Sequence, residues 1–394
     1  MTTMRTRFRL FMLLSPALLV VPLSTTAHAG TPSFRTAWTT SMSNGGSVTG
    51  SNYTCRFVAR STVSGDAVEV RLSNALGSAP LTFTAASAGI RSAGESLAAA
   101  PVPLTFGGAT SVTIAAGSDV LSDPATLAVT DGQDVAVSVY VAGTNAPLTY
   151  HALALETNAC TDRSGAVGDH TADVAGSAFT TTGNFDWWLD ALAVNTATAT
   201  GTVIALGDSI TDGYCTGLDA HQRWTDVLAS RLGGSLGVAN EGISGNRLEG
   251  GGAGPDALSR FQRDVAGLPG GTTLFVYEGT NDVAGGADGT TVLNAMTQFV
   301  SKAHALGLHV VGATMIPRAG SVLWTPVMEA YRQQINLTIR QGTVFDEYVD
   351  FDQIVAAGGV APIMAPADDC GDHVHPNPTG LAAMGNGVPL SDLR

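Results

Sequence analysis

The chain has 394 residues, 33 of them acidic against 19 basic, for a formal net charge of −14. So acidic a composition, with Lys302 as its single lysine and no Lys/Arg cluster, repels polyanions and excludes nucleic acid as a natural partner. The length exceeds one typical domain of ~100 to 200 residues, so two domains are expected.

The chain begins with Arg5, Arg7 and Arg9 and no acid, then the apolar run "LFMLLSPALLVV", then Ala27-His28-Ala29, a small-x-small cleavage pattern. This order predicts a signal peptide over residues 1–29, removed after Ala29, and hence a secreted protein. The arginines alternate with other residues rather than pairing, which favours the general secretory route over a twin-arginine one. A membrane anchor is the weaker alternative, because a span needs about 20 apolar residues and no segment supplies them. Removing the three arginines leaves 16 basic against 33 acidic residues, a net of −17. In an exported chain the four cysteines are expected to be oxidised. Two fall in each half of the chain, which favours Cys55 with Cys160 and Cys215 with Cys370.

Residues 30–196 are expected to form an all-β domain, a sandwich or jelly roll. Val135, Val137, Val139 and Val141 alternate with Ala136, Ser138 and Tyr140, as Val68, Val70 and Leu72 do in "AVEVRL". Turn signals such as "LGSAP", "GGAT" and "TDGQD" separate such runs at short intervals, and no long amphipathic helix is visible. The adjacent Trp187 and Trp188 could stack on a sugar, but packing in the core or between domains is the better expectation. "NTATATG" is a short polar joint.

Residues 197–394 change rhythm. Strand candidates at 202–206, 236–240, 272–279, 308–316 and 344–351 alternate with helical stretches at 223–232, 255–268, 291–307 and 326–341. That alternation predicts an α/β domain, a parallel sheet covered by helices on both faces, with function at the carboxyl ends of the strands.

Four features fall at those ends or in the last loop. Ser209, in "GDSIT", follows the first strand at a helix entrance, where free N–H groups favour a developing negative charge; taken alone it reads as a helix N-cap. Gly245, in "NEGISGNRL", sits in a tight loop where its N–H could face a substrate. Asn281, in "YEGTNDV", could donate its amide to an oxyanion or simply make an Asx-turn. Asp372 stands three residues before His375 in "DDCGDHVHPNPTG", so that the carboxylate can accept from one imidazole nitrogen while the other faces the serine. Ser209, His375 and Asp372 are thus candidates for nucleophile, general base and orienting acid.

With these blocks the sequence resembles the SGNH hydrolases, the esterase and lipase group also named for its GDSL motif. The matching residues are Gly207-Asp208-Ser209, Gly245 in "SGN", Asn281 in "GTND", and Asp372-x-x-His375-Pro376, with Ile210 where the motif has leucine, a volume-conserving change. The resemblance implies a flavodoxin-like α/β/α domain over residues 202–394 and an oxyanion hole made of the Ser209 and Gly245 N–H groups and the Asn281 amide. It implies a carboxylic ester hydrolase that forms an acyl-enzyme with no cofactor and no metal. The N-terminal half is similar to the β-domain that precedes the hydrolase in some secreted bacterial members, most of all at "VRLSNALGSAPLTF".

Competing assignments are weaker. Ser235 in "GGSLG" fits G-x-S-x-G, but it follows a helix and leads into a strand, the reverse of a nucleophile elbow. Asp368, Asp369, Asp372, His373 and His375 could ligate a metal, yet lack the expected context. His373 is expected to face away from Ser209 or merely to line the site. His151, His170, His221, His304 and His309 have no partner visible in the sequence and are assigned ordinary surface or core roles. No long apolar lid is visible and 248–256 is a polar, glycine-rich loop, so short-chain or polysaccharide-linked acyl esters are favoured as substrates over lipid esters. A carbohydrate-binding protein with a degenerate hydrolase half is the alternative from another class; the intact Ser209, Gly245, Asn281 and His375 count against it.

Overall fold

The computed structural model describes residues 33–357 and 363–394, so the signal peptide and its cleavage after Ala29 lie outside the described residues. Among the described residues no helix is long and apolar enough to cross a membrane.

Before Thr202 the described chain is made of mostly antiparallel strands, without a helix. Asp134–Val141 pairs with Tyr53–Arg60 on one side and Ala85–Ala93 on the other. A second sheet is built on Gly65–Ser73 and Leu189–Thr196, with Ser33–Thr39 beside the latter. Both contribute to one core, where Val135, Val137 and Val139 meet Val68, Val70 and Leu72. Trp188 is buried there, edge-on to Phe57 and Phe83, with its indole N–H donated to the Pro147 carbonyl, so it is core rather than a sugar platform. Trp187, beside it, is only partly buried and stacks on Phe185. The alternating strand at 134–141 is covered on both faces. Arg56 reaches out from the neighbouring strand to Ser138 and to the carbonyls of Glu95 and Asp173, pinning a loop over its outer side.

From Thr202 five parallel strands follow: β1 (Thr202–Gly207), β2 (Gly237–Gly242), β3 (Gly271–Tyr277), β4 (His309–Ala313) and β5 (Glu347–Val349). Their order is β2-β1-β3-β4-β5. Strand order therefore reverses beside β1, and the crevice at its carboxyl end is where such sheets bind ligands. The helices are α1 (Ser209–Asp212), α2 (Trp224–Leu232), α3 (Ala257–Phe261), α4 (Thr280–Ala284), α5 (Gly289–Ala305), α6 (Pro326–Arg340), α7 (Phe351–Val355) and α8 (Pro378–Gly387). One face of the sheet packs Phe275 against Trp224 and Phe351; on the other, Leu274 and Val276 share a core with Phe261 and Phe299.

Two expected elements differ. The last strand, expected over 344–351, has three residues, because Asp350 accepts from the Gln353 N–H and starts α7 at Phe351. The helix expected over 255–268 becomes a π-helical turn after α3, at Gln262–Ala266. That wider turn carries Arg263 and Asp264 to Ser41 of the N-terminal half, where Asp264 also meets Arg260. The N-terminal half also lies along β2. Thr39 Oγ1 donates to the Asn240 carbonyl at 3.0 Å, and the Val238 N–H donates to Thr62 Oγ1 at 2.9 Å. At Gly237 a Cβ would sit 2.1 Å from the Thr36 carbonyl oxygen, so only glycine allows this approach.

Disulfides join Cys55 to Cys160 and Cys215 to Cys370, over sequence separations of 105 and 155 residues. On the chain-entropy model, closures of this size stabilise by about 5 kcal/mol each.

Candidate active site

β1 delivers the chain to the switch point and α1 turns it at once. Asp208 caps this short helix, its carboxylate accepting from the Ile210 N–H at 3.0 Å. Ser209 is therefore the first residue inside α1 and not its cap, which leaves its hydroxyl free for another partner. That partner is His375, whose Nε2 lies 2.8 Å from Ser209 Oγ. On the far side of the ring, Nδ1 lies 2.7 Å from Asp372 Oδ2, and Asp372 Oδ1 accepts the Val374 and His375 N–H groups at 2.9 Å each. The short Asp-x-x-His spacing thus folds into a loop in which backbone and side chain hold the same carboxylate.

Three further contacts fix this loop. The Cys370 N–H donates to the His375 carbonyl at 2.9 Å. The Cys215–Cys370 bond ties it to the segment that leaves α1. Tyr214 lays its ring 4.3 Å, centroid to centroid, from the imidazole.

The proposed oxyanion donors stand around the same end of β1. Gly245 has φ of +80°, a conformation that suits glycine and turns its N–H as the loop requires. Among the described residues neither the Ser209 N–H nor the Gly245 N–H is used by another group. Asn281 differs from expectation in one respect. Its Nδ2 donates to the Asn246 carbonyl at 2.9 Å and lies 3.3 Å from Asp208 Oδ2, so it must release the longer contact to reach a substrate.

The metal candidates are engaged otherwise. Asp369 accepts from His373 Nδ1 at 2.6 Å, which occupies that imidazole with its own carboxylate. Among the described residues no three His, Cys, Asp or Glu side chains group as a metal site. The glycine-rich loop is tied down rather than loose, since Asn246 Nδ2 donates to the carbonyls of Ala253 and Pro255 at 2.8 Å.

Burial lowers the pKa of His375, and the Arg318 cation nearby adds to this, while Asp372 pulls the other way without prevailing. The imidazole is thus neutral at ordinary pH. Burial would raise Asp372, but hydrogen bonds from the His375 ring and from the His375 and Val374 N–H groups outweigh it and keep the acid ionised. Asp208 is raised to about 7 by burial.

Several residues that support this geometry were invisible to motif reading. Buried Arg260 holds Asn246 Oδ1 with Nε and Nη2, the Glu241 carbonyl with Nη1 and the Gly207 carbonyl with Nη2, clamping the loop after β2 to the end of β1. Arg318 donates to Thr280 Oγ1 and lies 4.8 Å above Trp324. His151 and Asp212 pair across the two halves of the chain at 2.9 Å. A cavity of about 370 Å³ lies behind α1, lined by residues such as His151, Asp212, Glu156 and Arg223; Ser209 is not on its wall.

Residues 205–383 match the GDSL-like lipase/acylhydrolase family model. Residues 205–383 thus carry a GDSL-like lipase/acylhydrolase domain, that of a carboxylic ester hydrolase. Solved structures similar to the GDSL-like half include a carbohydrate acetylesterase from Sinorhizobium meliloti, at 17% identity and a TM-score of 0.38 over 47% of this chain and 94% of that one. The aryl esterase of M. smegmatis is similar at 17% identity and 0.39, over 47% of this chain and 95% of that one. A GDSL-like lipase from Bacteroides thetaiotaomicron is similar at 18% identity and 0.37, over 49% and 88%. No curated protein sequence matches the chain.

Proposed function

We propose that this GDSL-like hydrolase is a secreted serine esterase that works through an acyl-enzyme on Ser209. The supporting observation is the continuous line of hydrogen bonds from Ser209 Oγ through the His375 ring to Asp372, at the carboxyl end of β1. His375 Nε2 takes the hydroxyl proton as Oγ attacks the ester carbonyl, and the resulting oxyanion is met by the Ser209 and Gly245 N–H groups and the Asn281 amide. The imidazolium then gives its proton to the leaving alcohol, and water repeats the sequence to free the acid and Ser209. Asp372 stabilises the imidazolium and holds its tautomer. No step calls for a metal or a cofactor.

The organisation that fits is a β-sandwich domain, residues 30–196, followed by a flavodoxin-like catalytic domain, residues 197–394. The polar, tied loop after Gly245 supports short-chain or carbohydrate-linked acyl esters as substrates. Lipid esters are a second reading, favoured by Val322 and Leu323. These are 97% and 82% exposed, in the loop whose Gly320 packs on His373. p-Nitrophenyl esters from acetate to palmitate separate the two, with the acetate and butyrate expected to turn over fastest. A fluorophosphonate should label one residue, Ser209, with loss of activity in step; a label on any other residue would defeat the proposal.

The direction of the His375 shift sets the pH profile. Because the imidazole must be neutral to act, kcat/KM rises as pH passes upward through its pKa, and that limb is expected below pH ~6.5. Replacing Arg318 by Gln removes a cation that disfavours the imidazolium, so the limb moves up. At pH 5.5 the variant should lose severalfold more kcat/KM than at pH 8, relative to the wild type. An unmoved limb would mean that Arg318 is electrostatically silent there.

A further inference from the structure

A second buried imidazole stands behind the nucleophile. His151 ends the strand Ala146–His151 of the N-terminal half and is 4% exposed. Its Nδ1 lies 2.6 Å from the Ser41 carbonyl oxygen and its Nε2 lies 2.9 Å from Asp212 Oδ1. A carbonyl and a carboxylate both accept, so the ring satisfies both only by carrying two protons. Burial alone would lower its pKa, but the charge and hydrogen bond of Asp212, helped by the Ser41 carbonyl and the charge of Asp186, raise it. Asp186 is its cross-strand neighbour; Glu156, His221 and Arg223 line the cavity beyond.

Asp212 closes α1, three residues after Ser209. Its second oxygen accepts both the N–H and the hydroxyl of Ser244, at 2.8 and 2.6 Å. The next peptide N–H is that of Gly245. The loop runs hard against α1 here, for a Cβ on Gly242 would sit 2.2 Å from the Asp212 nitrogen. Holding Ser244 by two groups therefore sets the direction of the Gly245 N–H.

We propose that His151 of the N-terminal half is a positioning residue for ester hydrolysis, fixing Asp212, which in turn fixes Ser244 and aims the Gly245 N–H at the oxyanion. This rests on the acyl-enzyme chemistry proposed for Ser209. Without His151 the buried Asp212 carboxylate loses its counter-charge and one hydrogen bond, and a buried group so stripped relaxes toward other donors. An oxyanion donor that swings away raises the barrier far more than it weakens ground-state binding.

The test uses the full secreted chain with His151→Leu, His151→Gln and Ser244→Ala. Glutamine places an amide where Nε2 was and can still donate to Asp212; leucine cannot. We expect His151→Leu to lower kcat by about 10- to 100-fold with KM changed less than about threefold. Affinity for an alkyl boronic acid, whose adduct on Ser209 is tetrahedral, should fall with kcat. His151→Gln should recover most of both, and Ser244→Ala should lie between. A folded His151→Leu with unchanged kcat and boronate affinity would overturn the proposal. So would equal losses in His151→Leu and His151→Gln, which point to packing alone. If His151→Leu does not fold, Ser244→Ala decides: wild-type kcat and boronate affinity in that variant reject the positioning role. Ser209→Ala in parallel keeps the two ideas apart, because activity surviving there removes the acyl-enzyme chemistry itself. Activity lost only in Ser209→Ala removes the role of His151 alone.

Discussion

Ser209→Ala is expected to lower kcat for p-nitrophenyl acetate by about 10⁴- to 10⁶-fold, the range seen when a nucleophile is removed from a triad whose oxyanion donors remain. The fold should not suffer. The serine hydroxyl bonds to His375, while the cap of α1 is supplied by Asp208, so truncation removes no contact that holds the helix. KM and the melting temperature should therefore stay near those of the parent, and fluorophosphonate labelling should vanish. A variant that keeps more than about one hundredth of the parent kcat would show that another group attacks the ester.

Asp372→Asn carries the second largest effect, a fall in kcat of about 10³- to 10⁴-fold near neutral pH. The new side-chain oxygen can still accept the Val374 and His375 N–H groups, so the loop keeps its shape. Its amide nitrogen, however, now donates to His375 Nδ1, which forces the ring proton onto Nε2. That proton points at Ser209 Oγ, and the base can no longer accept. Because the two residues act on one proton, combining Asp372→Asn with Ser209→Ala should cost little beyond Ser209→Ala alone. Additive losses would mean that the carboxylate does something other than set the tautomer.

The four motif blocks were legible because each is a short run whose meaning is local: a strand end, a tight turn, a carboxylate three residues from a histidine. Alternating valines announced the strand at 134–141 for the same reason. What the sequence hid is what topology assembles. His151 and Asp212 are 61 residues apart, and Arg260 meets Gly207 from 53 residues away; no local pattern marks either partner. Arg56 looks like a solvent-facing residue of an alternating strand until a distant loop folds over it. The shortened β5 and the π-helical turn after α3 follow from a single capping aspartate and from a salt-bridged cluster reaching across to Ser41. Propensity could not weigh either. Asn281 marks a subtler limit, for its identity suggests a donor while only the structure shows that the donor is already shared.

β2 is the outermost strand of the parallel sheet, and the N-terminal half is laid along it through Thr36, Thr39 and Thr62. Severed at the joint near residue 197, the C-terminal portion would expose the outer edge of this six-residue strand, whose other edge stays paired to β1, as a template on which another copy could add its own strand. The β-rich portion thus covers an edge that would otherwise be open to self-association. Dissecting this enzyme into freestanding pieces would first produce clumping, and only afterwards a measurable catalyst.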